Sequence, residues 1–164
     1  LVIDGRLYHG GGVTEMEIGH LRLSPQGGIT EDVASGWSID RRVREHVAAH
    51  PTGTLARLAA GGRAGARQLV AAIAAGDASA AAILDDAARH YAVALSHVVQ
   101  LLAPDVIVLG GGVAEMGEAW RGRVAGFLPG MLMHPLQPGP DVRLAALGED
   151  VVPVGAALAA ATRS

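Results

Sequence analysis

The 164-residue chain has no cysteine. That excludes disulfides, thiolate zinc sites and cysteine nucleophiles, and it fits a cytoplasmic protein. Aromatic residues are only 3% of the chain, so the core has to be built from Ala, Val, Leu and Ile. No block of one charge sign stands out, and the formal net charge is −3. A general nucleic-acid surface, which needs clustered Lys and Arg to neutralise phosphates, is therefore not expected. There is no signal-peptide pattern and no apolar run long enough to span a membrane. There is also no Gly-x-x-x-x-Gly-Lys-Ser/Thr loop and no Rossmann glycine pattern after an early strand, which removes the two most specific nucleotide signatures.

What is present suffices for one domain with a sizeable core: half the residues are apolar, and 23 glycines with many alanines suggest close helix contacts. The rest of the chain is organised around Leu84 to Gly112. Leu84, Ala88, Tyr91, Leu95, Val98 and Leu102 recur at three- and four-residue steps and predict one face of a long helix. Asp77 or Ser79 would cap it and Pro104 would stop it. Val106 to Leu109 then reads as a strand buried on both faces. Gly110, Gly111 and Gly112 follow at once. Such a triplet serves either as a tight turn into the next helix or as a place where a ligand approaches the backbone closely.

Before this stretch, Leu1-Val2-Ile3, Asp4-Gly5 and Leu7-Tyr8 spell a tight hairpin. A chain that opens inside a strand pattern is expected to be part of a longer protein. Residues 9 to 31 are loop-rich and contain His9, Glu15, Glu17, His20 and Glu31, with Ile18, Leu21 and Leu23 as a possible short strand and Ser24 to Gly28 as a turn. Ala34 to Ala49 predicts a helix with Trp37, Ile39, Val43 and Val47 inward. Shorter helices are expected at Leu55 to Ala60, closed by Gly61-Gly62, and at Ala64 to Ala75. After the glycines come Val113 to Gly117, a helix from about Glu118 to Leu128, and a proline-rich connection in which Met131, Leu132 and Met133 could form a short strand or helical turn. A second strand then carries Val142, Leu144 and Leu147 with Arg143 outward, and Gly148-Glu149-Asp150 turns the chain. The closing helix, Val154 to Ala161, is apolar nearly all round and calls for burial against a sheet or a partner.

Glu17, His20 and Glu31 lead the polar candidates. Carboxylates accept sugar hydroxyls and an imidazole exchanges one hydrogen bond, so the three suit a polyol; an exposed Glu, a loop His and a capping Glu fit the spacing equally, and a metal site is a further use of the same residues. His90 and His97, seven apart on the long helix, read as packed or surface residues. His46, His50 and His134 have no partner pattern, and Met131 and Met133 read as packing residues.

Several ordered motifs together resemble the ROK family of repressors, open reading frames and kinases. Met16-Glu17-Ile18-Gly19-His20 is similar to that family's sugar-contact motif Gly-Glu-Ile-Gly-His. Ile29-Thr30-Glu31 with Ser35-Gly36 resembles its Cys-Leu-Glu segment with Ser-Gly, and Leu102 to Gly112 and the ending Gly155-Ala156-Ala157 match closely. The resemblance implies an α/β, actin-like ATPase (ribonuclease H-like) fold, with residues 1–164 forming a single C-terminal lobe. It also implies that Glu17, His20 and Glu31 bind sugar hydroxyls while Gly110, Gly111 and Gly112 line the nucleotide side of a cleft. ATP and Mg²⁺ would be the cofactors of the full-length protein, the partners a hexose or amino sugar and a second copy in a homodimer.

The departures matter as much. Ile29 stands where the family usually has its third zinc cysteine, and the segment with the other two is missing, so His20 would lack thiolate co-ligands and no structural zinc is expected. Met16 replaces a glycine, and Val13 and Glu15 also depart from the pattern. The family's phosphate-binding Asp-x-Gly motif and catalytic aspartate would precede the opening hairpin, and Asp4-Gly5 is a turn rather than that motif. The expectation is therefore half of an ATP-dependent sugar kinase, inactive by itself. Two other readings stand beside it: a sugar-sensing repressor, which would need an upstream winged helix to bind DNA, and a non-catalytic assembly module.

Overall fold

The computed structural model describes residues 1–8, 10–12, 15–60 and 65–161, without the side chain of Glu149. His9, Val13, the Gly61-Gly62 helix end and Ala64 lie outside the described residues. The opening hairpin forms as expected: β1 (Val2–Ile3) pairs antiparallel with β2 (Arg6–Leu7), Val2 opposite Leu7. Asp4 and Gly5 make the turn at φ of 51° and 74°, the left-handed pair that a two-residue hairpin requires.

Ile18, Leu21 and Leu23 do not make the strand predicted for them. Ile18–His20 is a single 3₁₀ turn, and only Arg22 pairs onward, in an isolated antiparallel bridge to Ile29. The segment is too short, and too closely followed by the Ser24 to Gly28 turn, to build a ladder. The single helix expected over Ala34 to Ala49 is in fact two. α1 (Thr30–Ala34) stops at Ser35, whose extended ψ of 160° and side chain, accepting from the Ser38 amide at 3.3 Å, start α2 (Gly36–Ala49). Ile39 and Val43 point inward as predicted; Trp37 does not. It is 48% exposed, with the Arg41 guanidinium over its ring at 5.1 Å.

α3 (Thr54–Ala59) and α4 (Ala66–Ala74) then lead to α5 (Ala78–Leu102), the axis of the molecule. Asp77, not Ser79, caps α5. Its Oδ1 accepts the Ser79 and Ala80 amides at 2.9 and 3.1 Å, and its Oδ2 accepts the Leu55 amide at 3.3 Å, so one carboxylate also fixes α3. Five alanines of α5 (Ala80, Ala87, Ala88, Ala92 and Ala94) are buried, and α1, α2, α4 and α6 all pack against this helix. Small side chains are what allow so many helices to reach it. Leu84, Ala88 and Leu95 are buried as the periodicity predicts, but Leu102 is 44% exposed because the helix runs on past its neighbours. Ala103 ends it in the left-handed region at φ 43°, just before Pro104.

β3 (Val106–Leu109) follows, then α6 (Glu118–Phe127), and then β4 (Asp141–Leu144), parallel to β3 with Leu109 opposite Leu144. Met131 closes a 3₁₀ turn, Leu128–Met131. Arg121 donates to the Val142 carbonyl at 3.2 Å and Arg123 to Asp85 at 2.5 Å, tying α6 to β4 on one side and to α5 on the other. The core runs through Ile39, Leu55, Leu69, Leu84, Trp120 and Leu128.

Two expectations fail here. β3 is not buried on both faces: Ile107 and Leu109 are covered, but Val106 and Val108, on the other face, are exposed, Val108 at 59%. Leu147 is not in β4 but exposed beyond it. The last helix, α7 (Val151–Ala161), buries none of its described residues, so the apolar surface predicted to seek cover is left open within this chain. Among the described residues, no helix is long and apolar enough to cross a membrane.

Candidate functional site

Glu31 is positioned by its neighbours. The amide and hydroxyl of Thr30 both donate to the Leu21 carbonyl, at 2.9 and 3.1 Å, and the Leu23 amide donates to Gly28. Asp32 accepts the Ile29 amide at 3.1 Å. These bonds fold residues 21–29 back on themselves and start α1 beside the Ile18–His20 turn. A Cβ on Gly19 would lie 3.8 Å from the Cβ of Glu31 and 3.9 Å from its Oε2, ordinary contact distances that place Glu31 beside the turn.

The glycine triplet is positioned by the sheet. The ladder closes with the Ala145 amide donating to Leu109 at 2.8 Å, and Gly110 to Gly112 leave it. Gly111 has φ +78° and ψ −177°, a conformation open to glycine and costly for any other residue. Its carbonyl accepts the Ala114 amide at 3.0 Å and starts a 3₁₀ turn over Gly112–Met116. A Cβ added at Gly111 or Gly112 would meet nothing within 4 Å, so both face open space.

Two clefts meet at Gly110. The first, of about 240 Å³, is lined by Gly19, Glu31, Ser35, Tyr91, Gly110 and Trp120. The second, of about 320 Å³, is lined by the whole triplet with Glu115, Val151 and Val152 among others. Tyr91 leans on Trp120 with ring centroids 5.4 Å apart, and burial pushes its phenol above the ordinary value.

Glu17 and His20 do not line the first cleft, although Gly19 between them does. They are 3.9 Å apart and both well exposed. Glu17 lines a third, largely apolar groove of about 560 Å³ with Met16, Leu95 and Val98, and His20 lines none of the three. The structure thus brings Glu31 to Gly110 and Glu17 to His20, but does not gather all four in one cleft. Among the described residues, no three His, Cys, Asp or Glu side chains converge as a metal site. Sequence reasoning missed Ser35, Tyr91, Trp120 and Glu115 as lining residues. The Ser-Gly pair after Ala34 was a usable signal for Ser35. Nothing in the spacing marked Glu115, three residues past the triplet.

The ROK family model matches residues 1–163. A glucokinase of Halalkalibacterium halodurans is 29% identical over 165 residues, covering 94% of this chain and 50% of that protein. The bifunctional enzyme NanE/NanK of Brucella melitensis is 31% identical over 168 residues, covering 99% of this chain and 28% of that enzyme. The chain therefore spans half or less of the length of these relatives. Among solved structures, a ROK family glucokinase from Streptomyces griseus, in complex with glucose and AMPPNP, superimposes with a TM-score of 0.84 at 26% identity, over 96% of this chain and 55% of that one. The architecture is the actin-like α/β fold of ROK sugar kinases, and the chain belongs to the ROK family.

Proposed function

We propose that this chain is the sugar- and nucleotide-facing lobe of an ATP-dependent kinase for a hexose or amino sugar, working in the cytoplasm as a homodimer. One observation carries the reading: Gly110 borders both clefts. Phosphoryl transfer needs the acceptor hydroxyl and the donor phosphate side by side, and two clefts separated by one glycine meet that need. The kinase names of the relatives and the glucose and AMPPNP held by the Streptomyces enzyme support the same assignment.

In this reading Glu31 accepts sugar hydroxyls at the floor of the smaller cleft, with Tyr91 and Trp120 as its apolar wall. Glu17 and His20, paired outside that cleft, close on the sugar from the side. The open backbone of Gly111 and Gly112 fits a nucleotide, because no side chain fills the space beside it. Bound ATP with Mg²⁺ supplies the γ-phosphoryl group. Glu31 is the only carboxylate among the described residues lining the smaller cleft, and here it binds rather than abstracts a proton; the base and the phosphate loop are assigned to residues outside these 164. No structural zinc is needed, since Ile29 stands at the family's cysteine position.

The test is titration of glucose, N-acetylglucosamine and N-acetylmannosamine into the protein, with turnover measured on the polypeptide that carries an upstream lobe. Glu31→Ala should weaken binding of the preferred sugar about 10- to 100-fold, the range for hydrogen bonds to a charged group, and His20→Ala should weaken it less. No saturable sugar binding, or binding indifferent to Glu31, would overturn the proposal.

A further inference from the structure

Among the described residues lining the larger cleft, Glu115 is the only one whose side chain carries hydrogen-bonding atoms; Val151, Val152, Leu144 and the alanines beside it are apolar and the rest are glycine. Its carboxylate makes no hydrogen bond or ion pair with any described residue and is exposed. An ionised carboxylate repels a phosphate that no cation bridges to it. It accepts two neighbouring hydroxyls well, since an ionised carboxylate offers two oxygens and needs only donors. The glycine triplet contrasts with it: it brings no side chain of its own, and a Cβ added at Gly111 or Gly112 would meet nothing within 4 Å.

From this polarity we infer that Glu115 anchors the ribose 2′ and 3′ hydroxyls of the nucleotide, which orients it with its phosphates toward Gly110. Glu115 is thereby a specificity-determining residue that selects ribonucleotides over deoxyribonucleotides. The inference rests on the nucleotide-cleft reading above and adds a direction and a sugar preference to it. The apolar surface of Val151 and Val152, at the start of α7, is then left for the base.

The test is calorimetric titration of the full chain with ATP and with 2′,3′-dideoxyATP, for the wild type, Glu115→Ala and Glu115→Gln. Wild type should bind ATP about 10- to 100-fold more tightly than the dideoxy nucleotide. Glu115→Ala should lower ATP affinity to the dideoxy level while leaving dideoxyATP binding unchanged, and Glu115→Gln, which keeps one acceptor oxygen, should fall between. Circular dichroism should show each variant folded, as expected for a change at an exposed side chain. Equal weakening of both nucleotides overturns this role for Glu115 and leaves the nucleotide cleft standing. Absence of saturable binding by either overturns the cleft and this inference together.

Discussion

Asp77 holds the helix that carries Tyr91 and delivers the chain to the glycine triplet, and removing it should cost more than an ordinary cap. In Asp77→Ala the Ser79 and Ala80 amides lose their acceptor, which costs about 1 kcal/mol in typical N-caps. The Leu55 amide also loses its side-chain acceptor. Leu55 is fully buried, and an unsatisfied buried donor costs about 1–3 kcal/mol. The sum is roughly 2–4 kcal/mol, or a melting-temperature drop of about 4–16 °C for a domain of this size. Asp77→Ser should recover about the first part and not the second. The loss is also pH-dependent with a definite sign. The Ala80 amide is the largest cause holding the Asp77 carboxyl below its ordinary 3.8, with the Ser79 and Leu55 amides and the charge on His46 adding to it and burial opposing. A depressed carboxyl contributes stability that is present above the unfolded value and fades as pH falls through the lower folded one. Thermal melts of wild type and Asp77→Ala at pH 6 and at pH 3 should therefore converge at the acid end. A loss under about 0.5 kcal/mol, the lower bound for caps, or one equal at both pH values, would refute the argument.

Gly111→Ala forces an L-residue to φ +78° and should cost about 1–3 kcal/mol, with nucleotide affinity falling by more than stability alone accounts for; chemical denaturation and titration of the same samples separate the two. Trp120→Ala empties a fully packed position, 2% exposed, and should lose about 3–5 kcal/mol, read as a lower denaturation midpoint. Sedimentation at micromolar concentration should show a twofold dimer, and a monomer alone at that concentration would count against it.

The elements that sequence reasoning recovered are those with local causes. The hairpin follows from Asp4-Gly5, the long helix from its alanines and Asp77, and the strand end from Gly110. The elements it misread depend on what lies opposite them. Val106 to Leu109 is the sequence of a strand buried on both faces, yet burial needs a layer over each face, and among the described residues only the Ile107 and Leu109 side is covered. Trp37 fits an inward stripe by spacing but lies under a guanidinium from its own helix. Ser35 was legible in principle, because a serine before glycine interrupts one helix and caps the next. Glu115 was not: its place is set by the turn that Gly111 begins and by where α7 starts, neither of which the local residues announce. Glu17, His20 and Glu31 lie close in sequence, yet of the three only Glu31 lines the cleft at Gly110.

Gly110 borders both clefts. A methyl group there would point toward Ala145, 3.6 Å from its Cβ, on the glycine-lined side, and so would narrow that compartment while leaving the surface facing Glu31 as it is. The main chain there is anchored at one end by the β3–β4 ladder and at the other by the Gly111 carbonyl, which accepts the Ala114 amide. A ligand that displaces Gly110 from one side changes the room on the other, and thermodynamic reciprocity then makes the second ligand act back on the first to the same degree.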